Sequence, residues 1–318
     1  MIVTLTLNPA LDKSTGVAQL MPEKKMRCSD VLIEAGGGGI NVSKAVKELG
    51  GESLAVFFAG GLNGETVTQL LKEKDIAVKA IPIKGDTREN FVVNETATAR
   101  QYRFVMPGPS ICKDELKTIE ETIFGLPQIS FLVCSGSLPP GADASFLGRL
   151  ALIAKKKGVK FIADSSGAAL ETIMKNGAYL VKPNLTELCF LAGKEYLEPS
   201  EIATFAKAVF HQSNCEAIIV SMGPSGAMLV TKDGAKEFHA PTVKRQTTVG
   251  AGDSMVAGIV WMLGKEESLE NAVQFGIACG TAATVNKGTQ LFKKADALKF
   301  YEWMKQNSAA IHDCNEAL

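Results

Sequence analysis

The run Thr247-Thr248-Val249-Gly250-Ala251-Gly252-Asp253 carries the clearest chemistry in the chain, and it leads through Ser254-Met255 into an apolar helical pattern. Glycines at 250 and 252 leave the backbone N–H groups of residues 250–253 able to point at one spot, and the start of a helix adds partial positive charge there. That is an anion hole with the carboxylate of Asp253 beside it. The pairing suits phosphoryl transfer: the N–H groups neutralise charge building on phosphoryl oxygens, and the carboxylate takes the proton of an attacking hydroxyl. Taken alone, a Gly-Ala-Gly-Asp is equally a glycine turn whose acid favours a helix dipole, so the rest of the chain has to decide.

Other polar and glycine motifs follow apolar segments at residues 8–12, 36–41, 135–141, 164–167, 182–187 and 221–226. Gly36-Gly37-Gly38-Gly39 exposes backbone for close approach of a ligand, with Asn41 placed to bond a hydroxyl; the plainer reading is a flexible helix start. Lys182-Pro183-Asn184-Leu185-Thr186-Glu187 puts Asn184 and Glu187 on one side of a helix, where their oxygens suit a phosphate-bound Mg²⁺ through water. The same spacing is a capping box. Asp12 follows the first apolar segment and suits sugar hydroxyls, or is an exposed turn acid. Arg88 and Arg103, with Lys25 and Arg27, form a set of cations suited to a substrate phosphate, or a solvated face. The chain lacks G-x-x-x-x-G-K-[ST], G-x-G-x-x-G, HRD and DFG. A P-loop enzyme, a dinucleotide dehydrogenase and a protein kinase are therefore disfavoured.

These motifs need elements to hold them. Apolar patterning predicts strands at 2–7, 54–59, 77–83, 131–135, 160–164, 179–182 and 217–221, and a strand pair within 226–239. Helices are predicted at 40–49, 65–74, 113–124, 144–157, 167–175, 185–192, 199–211, 250–263, 268–286 and 294–306. Such alternation implies a mostly parallel sheet with helices on both faces, and ligands at the carboxyl ends of its strands. Residues 13–34 and 86–106 break the rhythm. They read as strands without helices, including a hairpin at 88–95 and 100–106, and are expected to form a small separate sheet, a lid.

The 318 residues are 46% hydrophobic and 21% charged, which excludes a disordered chain. Folding should bury about three quarters of the extended chain's surface, so residues 1–318 are expected to form one α/β unit with a discontinuous lid. Lys+Arg and Asp+Glu are both 34, so no broad basic field is available for nucleic acid. Seven cysteines without a CxxC read as free thiols, and three scattered histidines offer no zinc site. The N-terminal sequence has no signal-peptide pattern, and the apolar run at 255–263 is too short to span a bilayer. A cytoplasmic protein is the expectation.

The glycine motif 36–41, the pair Asn184-x-x-Glu187 and the motif 247–253 together resemble the PfkB/ribokinase family of sugar kinases, in order and over nearly the whole chain. Further shared pieces are Leu5-Thr6-Leu7, Leu11-Asp12, residues 102–108, 135–141 and 164–167. They are similar to the ribokinase-type 6-phosphofructokinase subgroup. The resemblance implies a ribokinase-like α/β fold with a β lid, and ATP-dependent phosphorylation of fructose 6-phosphate at O1. It implies Asp253 as base and Gly250, Ala251 and Gly252 as anion hole. Asp12, Gly36, Gly37, Gly38, Asn41, Ser137 and Arg88 would hold the sugar phosphate. Lys182, Asn184, Glu187, Ser221, Gly223, Gly226, Thr248, Ile277 and Thr281 would serve the nucleotide, with Mg²⁺ organised by Asn184 and Glu187. A K⁺ loop would involve Thr247, Val249, Ala283, Asn286, Gly288 and Gln290, although relatives carry Arg where Gln290 stands. Lys25 and Arg27 would take a second, inhibitory MgATP. Lids of this subgroup interlock into homodimers, with a tetramer when ATP binds. Related 1-phosphofructokinases and tagatose-6-phosphate kinases read Gly-Gly-Lys-Gly, so Gly38 in place of lysine points to fructose 6-phosphate. The contrasting class is a non-catalytic sugar-phosphate or nucleotide sensor, which would tolerate loss of Asp253.

Overall fold

A computed structural model describes residues 1–286 and 291–315, with side chains through residue 307. Its strands are β1 (Ile2–Thr6), β2 (Ala10–Val17), β3 (Leu32–Gly36), β4 (Ser53–Ala59), β5 (Ala77–Pro82), β6 (Arg88–Glu95), β7 (Arg100–Val105), β8 (Phe131–Ser135), β9 (Lys160–Asp164), β10 (Leu180–Val181), β11 (Ala217–Ser221), β12 (Ala227–Thr231) and β13 (Gly234–Phe238). The helices are α1 (Gly38–Glu48), α2 (Gly61–Lys72), α3 (Lys113–Gly125), α4 (Ala144–Lys156), α5 (Gly167–Asn176), α6 (Leu185–Leu191), α7 (Ile202–His211), α8 (Ala251–Leu263), α9 (Leu269–Thr284) and α10 (Lys294–Asn315).

The large sheet runs β13-β12-β11-β10-β9-β8-β1-β4-β5. It is parallel from β11 to β5, and the hairpin β12–β13 pairs antiparallel at one edge. Its central strands are apolar on both faces because both are covered. On β8, Leu132 and Cys134 join the core under α3, α4 and α5, while Phe131 and Val133 join the core under α1, α8, α9 and α10. On β9, Phe161 and Ala163 face the first core and Ile162 the second. The two-residue period of a strand thus feeds two hydrophobic layers from one short segment. This is a ribokinase-like arrangement: a large, mostly parallel sheet between helical layers, with a small separate sheet.

The small sheet has the order β3-β2-β6-β7. Its first chain segment runs from Ala10 to Gly36, wider than the expected 13–34, and its second contributes β6 and β7. Asp12 is therefore a residue of β2, opposite Glu34 on β3 and Asn90 on β6, and not a turn acid. The turn Asn8-Pro9 between β1 and β2 is so short that β2 reads as a tail of β1. Likewise α2 begins at Gly61, before the expected Glu65. Gly60-Gly61 and Gly64 read as a loop in sequence, yet Gly64 lies where a Cβ would come within 2.8 Å of the Ala59 carbonyl carbon. Glycine is there to let the helix start against its strand.

The parallel strands end on one edge of the sheet. Ser221, Lys182, Asp164, Ser135 and Asn8 lie at or just beyond the carboxyl ends of β11, β10, β9, β8 and β1, which are neighbours in that order. Chemistry scattered over more than two hundred residues of sequence is collected by strand order alone.

Candidate active site

Asp253 sits in the first turn of α8, whose N-cap Gly250 has the left-handed φ of 72° that permits the tight entry. No side chain caps this helix. Among the described residues the N–H groups of Gly252 and Asp253 have no acceptor, so the helix presents open donors at its positive end. Of the expected anion-hole residues, Gly252 offers an open N–H, joined by that of Asp253, while the Ala251 N–H is directed at the Thr248 carbonyl at 3.4 Å.

The carboxylate itself is held at both oxygens. Ser135 Oγ donates to Asp253 Oδ1 at 3.0 Å, and Asn41 Nδ2 donates to Oδ2 at 3.0 Å. Asn41 is thus placed to orient the acid. Burial, then the nearby Asp164 charge, pushes the Asp253 carboxyl from 3.8 up to about 6, against the opposing pull of Asn41, Ser135 and Lys182. A carboxyl with that value is ionised at neutral pH and is suited to accept a proton.

Lys182 is 4% exposed and pairs with Asp164 at 3.1 Å. Burial works against its ammonium, but the charge and hydrogen bond of Asp164, with Glu187 and Asp253, outweigh it and keep the lysine firmly protonated. Asn184 and Glu187 form a reciprocal cap at the start of α6: Asn184 Oδ1 accepts from the Glu187 N–H at 2.9 Å, and Glu187 Oε2 accepts from the Asn184 N–H at 2.8 Å. The capping reading of this motif is realised, and Glu187 Oε1 is outside the cap. Burial raises the Glu187 carboxyl above its ordinary value. No cluster of three or more His, Cys, Asp or Glu is placed to hold a metal among the described residues. A divalent ion here would share its shell with water and phosphate oxygens, which fits the Lys182–Glu187 donor set.

On one side of Asp253 opens a cavity of about 510 Å³. It is lined by Ser221, Gly223, Gly226, Thr248, Ile277 and Thr281, the predicted nucleotide residues, together with Ala251 and Gly252 from the anion hole. Val243 and Arg245 also line it; they lie between motifs and had no pattern to mark them.

On the other side stands the small sheet. Asn90 Nδ2 donates to Asp12 Oδ1 at 2.8 Å. A Cβ on Gly36 would lie 2.0 Å from Asp12 Oδ2, so the glycine makes room for that carboxylate. Gly37 is the N-cap of α1. Asn8 Nδ2 donates to Ser137 Oγ at 3.1 Å. Arg88 donates to the carbonyls of Met106 and Asn8, each at 3.0 Å, and its buried Nε has no partner among the described residues. The guanidinium is therefore a clasp between the small sheet and the β1–β2 turn. At Gly38 a Cβ would lie 2.3 Å from Ser135 Oγ and 2.7 Å from the Gly136 nitrogen. The missing side chain points at the end of β8, so packing also favours glycine at this position.

Some expected residues stand apart. Lys25 and Arg27 are exposed on the irregular connection between β2 and β3, and Arg103 is exposed on β7. Thr247, Val249, Ala283 and Asn286 are neighbours through the Gln246 and Thr247 N–H bonds to the Thr284 carbonyl at 2.8 and 3.2 Å, but Gly288 and Gln290 of the K⁺ loop lie outside the described residues. Conversely, Ser135, Asp164 and Lys44 belong to the site without having been assigned a role. Ser135 and Asp164 stand inside recognised motifs; Lys44 had no signal beyond being a polar residue on an amphipathic helix.

The profile described as pfkB family carbohydrate kinase matches residues 5–296. This chain belongs to that family. It is 42% identical over 306 residues to the ATP-dependent 6-phosphofructokinase isozyme 2 of Escherichia coli, covering 96% of this chain and 99% of that one. A 1-phosphofructokinase of Borreliella burgdorferi is 33% identical over 286 residues, covering 90% and 92%. Among solved structures, the pfkB fold of this chain superposes on phosphofructokinase-2 from Escherichia coli in complex with potassium, with a TM-score of 0.91, 41% identity and coverage of 96% and 99%. As a pfkB kinase, it is an ATP-dependent sugar kinase.

Proposed function

We propose that the chain is an ATP-dependent 6-phosphofructokinase, transferring the γ-phosphoryl group of ATP to O1 of fructose 6-phosphate. The observation that carries this reading is the placement of Asp253. Its two oxygens are fixed by Ser135 and Asn41, and it lies between a cavity that suits a nucleotide and a carboxylate-lined face that suits a sugar.

Asp253 takes the proton of the O1 hydroxyl as O1 bonds to the γ-phosphorus. The bond from that phosphorus to the β,γ-bridging oxygen breaks, and ADP leaves with the electron pair. The open N–H groups of Gly252 and Asp253 neutralise charge on the moving phosphoryl oxygens. Lys182, locked by Asp164, supplies a fixed positive charge beside them. Mg²⁺, held through water by Asn184 and Glu187, would offset charge between the β- and γ-phosphates. K⁺, if held by Thr247, Val249, Ala283 and Asn286, would supply a fixed positive charge near the start of α8. Asp12 and Ser137 position the sugar hydroxyls, and the Arg88 guanidinium serves the sugar phosphate. Closure of the small sheet excludes water.

The register of the small sheet also supports a homodimer. Ile33, Lys13, Phe91 and Phe104 form one row across its four strands, and the row Glu34, Asp12, Asn90 lies on the opposite face. Ile33, Phe91 and Phe104 are exposed. An outward apolar face backing a site-lining face suits a second copy of the same lid. The free thiols suit a cytoplasmic setting.

The experiment is a coupled ADP-release assay with MgATP and K⁺, running fructose 6-phosphate, fructose 1-phosphate and tagatose 6-phosphate in parallel. The highest kcat/KM is expected on fructose 6-phosphate. Preference for either other sugar would make the chain a 1-phosphofructokinase or tagatose-6-phosphate kinase on the same machinery.

A further inference from the structure

The face of the small sheet that looks into the site carries two carboxylates directly opposite one another, Asp12 on β2 and Glu34 on β3. Like charges in that relation repel. Both are withdrawn from water: the Glu34 side chain is 11% exposed, and burial is the largest influence on Asp12, raising its carboxyl above 3.8. A buried cation faces them from α1. The Lys44 side chain is 10% exposed, its Nζ donates to the Ala35 carbonyl at 3.2 Å and lies 3.7 Å from Glu34 Oε1. Lys74, in the turn after α2, reaches Glu34 at 3.9 Å, but from an exposed position.

We propose that Lys44 is a positioning residue for the acceptor sugar: fastened to β3 through Ala35 and Glu34, it supplies the counter-charge that keeps Asp12 ionised and aimed at the sugar hydroxyls. This rests on the kinase reading and deepens it. The groups facing Asp12 are Asn90 and Arg88 on β6, Glu34 on β3 and Lys44 on α1; all but Glu34 favour its charged form. Burial pulls the Lys44 ammonium below its ordinary value and Lys74 adds to that pull, while Glu34, Asp12 and Asp253 favour its charged form. The leading influences on Asp253 are burial, Asp164, Asn41, Ser135 and Lys182. Lys44 therefore acts chiefly on the sugar face, through Glu34 and Asp12.

The test is Lys44→Met, which keeps the length of the side chain and removes its charge. Wild type is assayed first on its preferred sugar phosphate. If it released no ADP with any of the three sugars, the kinase reading and this proposal would fall together. With an active wild type, Lys44→Met is expected to raise the sugar-phosphate KM by roughly tenfold near neutral pH, the scale on which a nearby opposite charge alters a carboxylate's interactions. The ratio of variant to wild-type KM should grow further as pH is lowered, because removing a nearby cation raises a carboxyl further. The substrate phosphate also titrates as pH falls, so the ratio, not the limb, is the readout. KM for MgATP and the acid limb of kcat should stay in place, and Lys44→Arg should restore most of the sugar affinity. A pH-independent ratio, or an Arg variant no better than Met, would overturn the proposal. Should Lys44→Met fail to fold, Glu34→Gln/Lys44→Met removes the opposing charge as well. Recovery of folding and sugar binding in that double variant supports the charge argument, and its failure makes Lys44 a structural residue only.

Discussion

Asp253 has to be buried to be shielded from water and charged to accept a proton, and its surroundings set the balance between the two. Burial and Asp164 push its carboxyl up to about 6, while Ser135 and Asn41 hold it down. Turnover therefore requires the ionised form, and kcat should fall as pH drops through about 6. Ser135→Ala removes one of the two stabilising donors, so its acid limb should move upward, by about one unit; a kcat–pH profile of both proteins checks this, and coincident limbs would remove Ser135 from that role. The same shift has a consequence for the fold. Because the folded carboxyl binds its proton more tightly than the unfolded one, the folded state holds more protons between pH 3.8 and about 6. Stability contributed by this group is therefore lost as pH rises through that window. Asp253→Asn should relieve the penalty, raising stability by about 1–3 kcal/mol above pH 7 after allowance for partial exposure. The residue needed for chemistry is one the fold would be more stable without.

The motifs that could be read from sequence are those in which local chain geometry makes the site. Gly250-Ala251-Gly252-Asp253 is such a case, since a helix N-terminus builds an anion hole from its own backbone. Asn184-x-x-Glu187 was legible as a cap for the same reason. Strands β8, β9 and β11 fall where the apolar runs placed them because each is a short buried segment with polar residues at its ends. What escaped is what depends on neighbours distant in sequence. Asp164 becomes important only through Lys182 and Asp253, and Lys44 only through β3. At Gly38 the choice between glycine and lysine was legible, but not the end of β8 that occupies the space a side chain would need. That contact makes a prediction about the α1–β8 junction: Gly38→Ala should destabilise the protein by about 1–3 kcal/mol, the usual range for overpacking. By displacing Ser135 it should lower kcat together with the melting temperature. A thermal melt and a kcat determination test this; an alanine variant with both unchanged would show that the junction is looser than described.

For the molecule as a whole, one sheet edge gathers the cavity lined by Ser221 and Thr248, the Asp253 carboxylate and the start of α8, and a second sheet stands beside it. The two faces of that second sheet have opposite characters. Asp12, Glu34 and Asn90 look inward, and Ile33, Phe91 and Phe104 look outward. If the outward face is covered by a second copy, Phe91→Asp/Phe104→Asp should run as a monomer in sedimentation. It should also bind sugar phosphate more weakly, because the lid loses its support. A double variant that remained dimeric with unchanged KM would place the interface elsewhere.

The most direct measurement is single-substrate turnover of Asp253→Asn beside wild type, with MgATP and fructose 6-phosphate, on protein shown to be folded. The substitution preserves shape and removes the proton acceptor. kcat should fall by about 10²–10⁴-fold, the range for loss of a general base, with fructose 6-phosphate binding largely kept and the melting temperature raised. Undiminished turnover would contradict Asp253 as the base, and with it the reading of this edge of the sheet as a phosphoryl-transfer site.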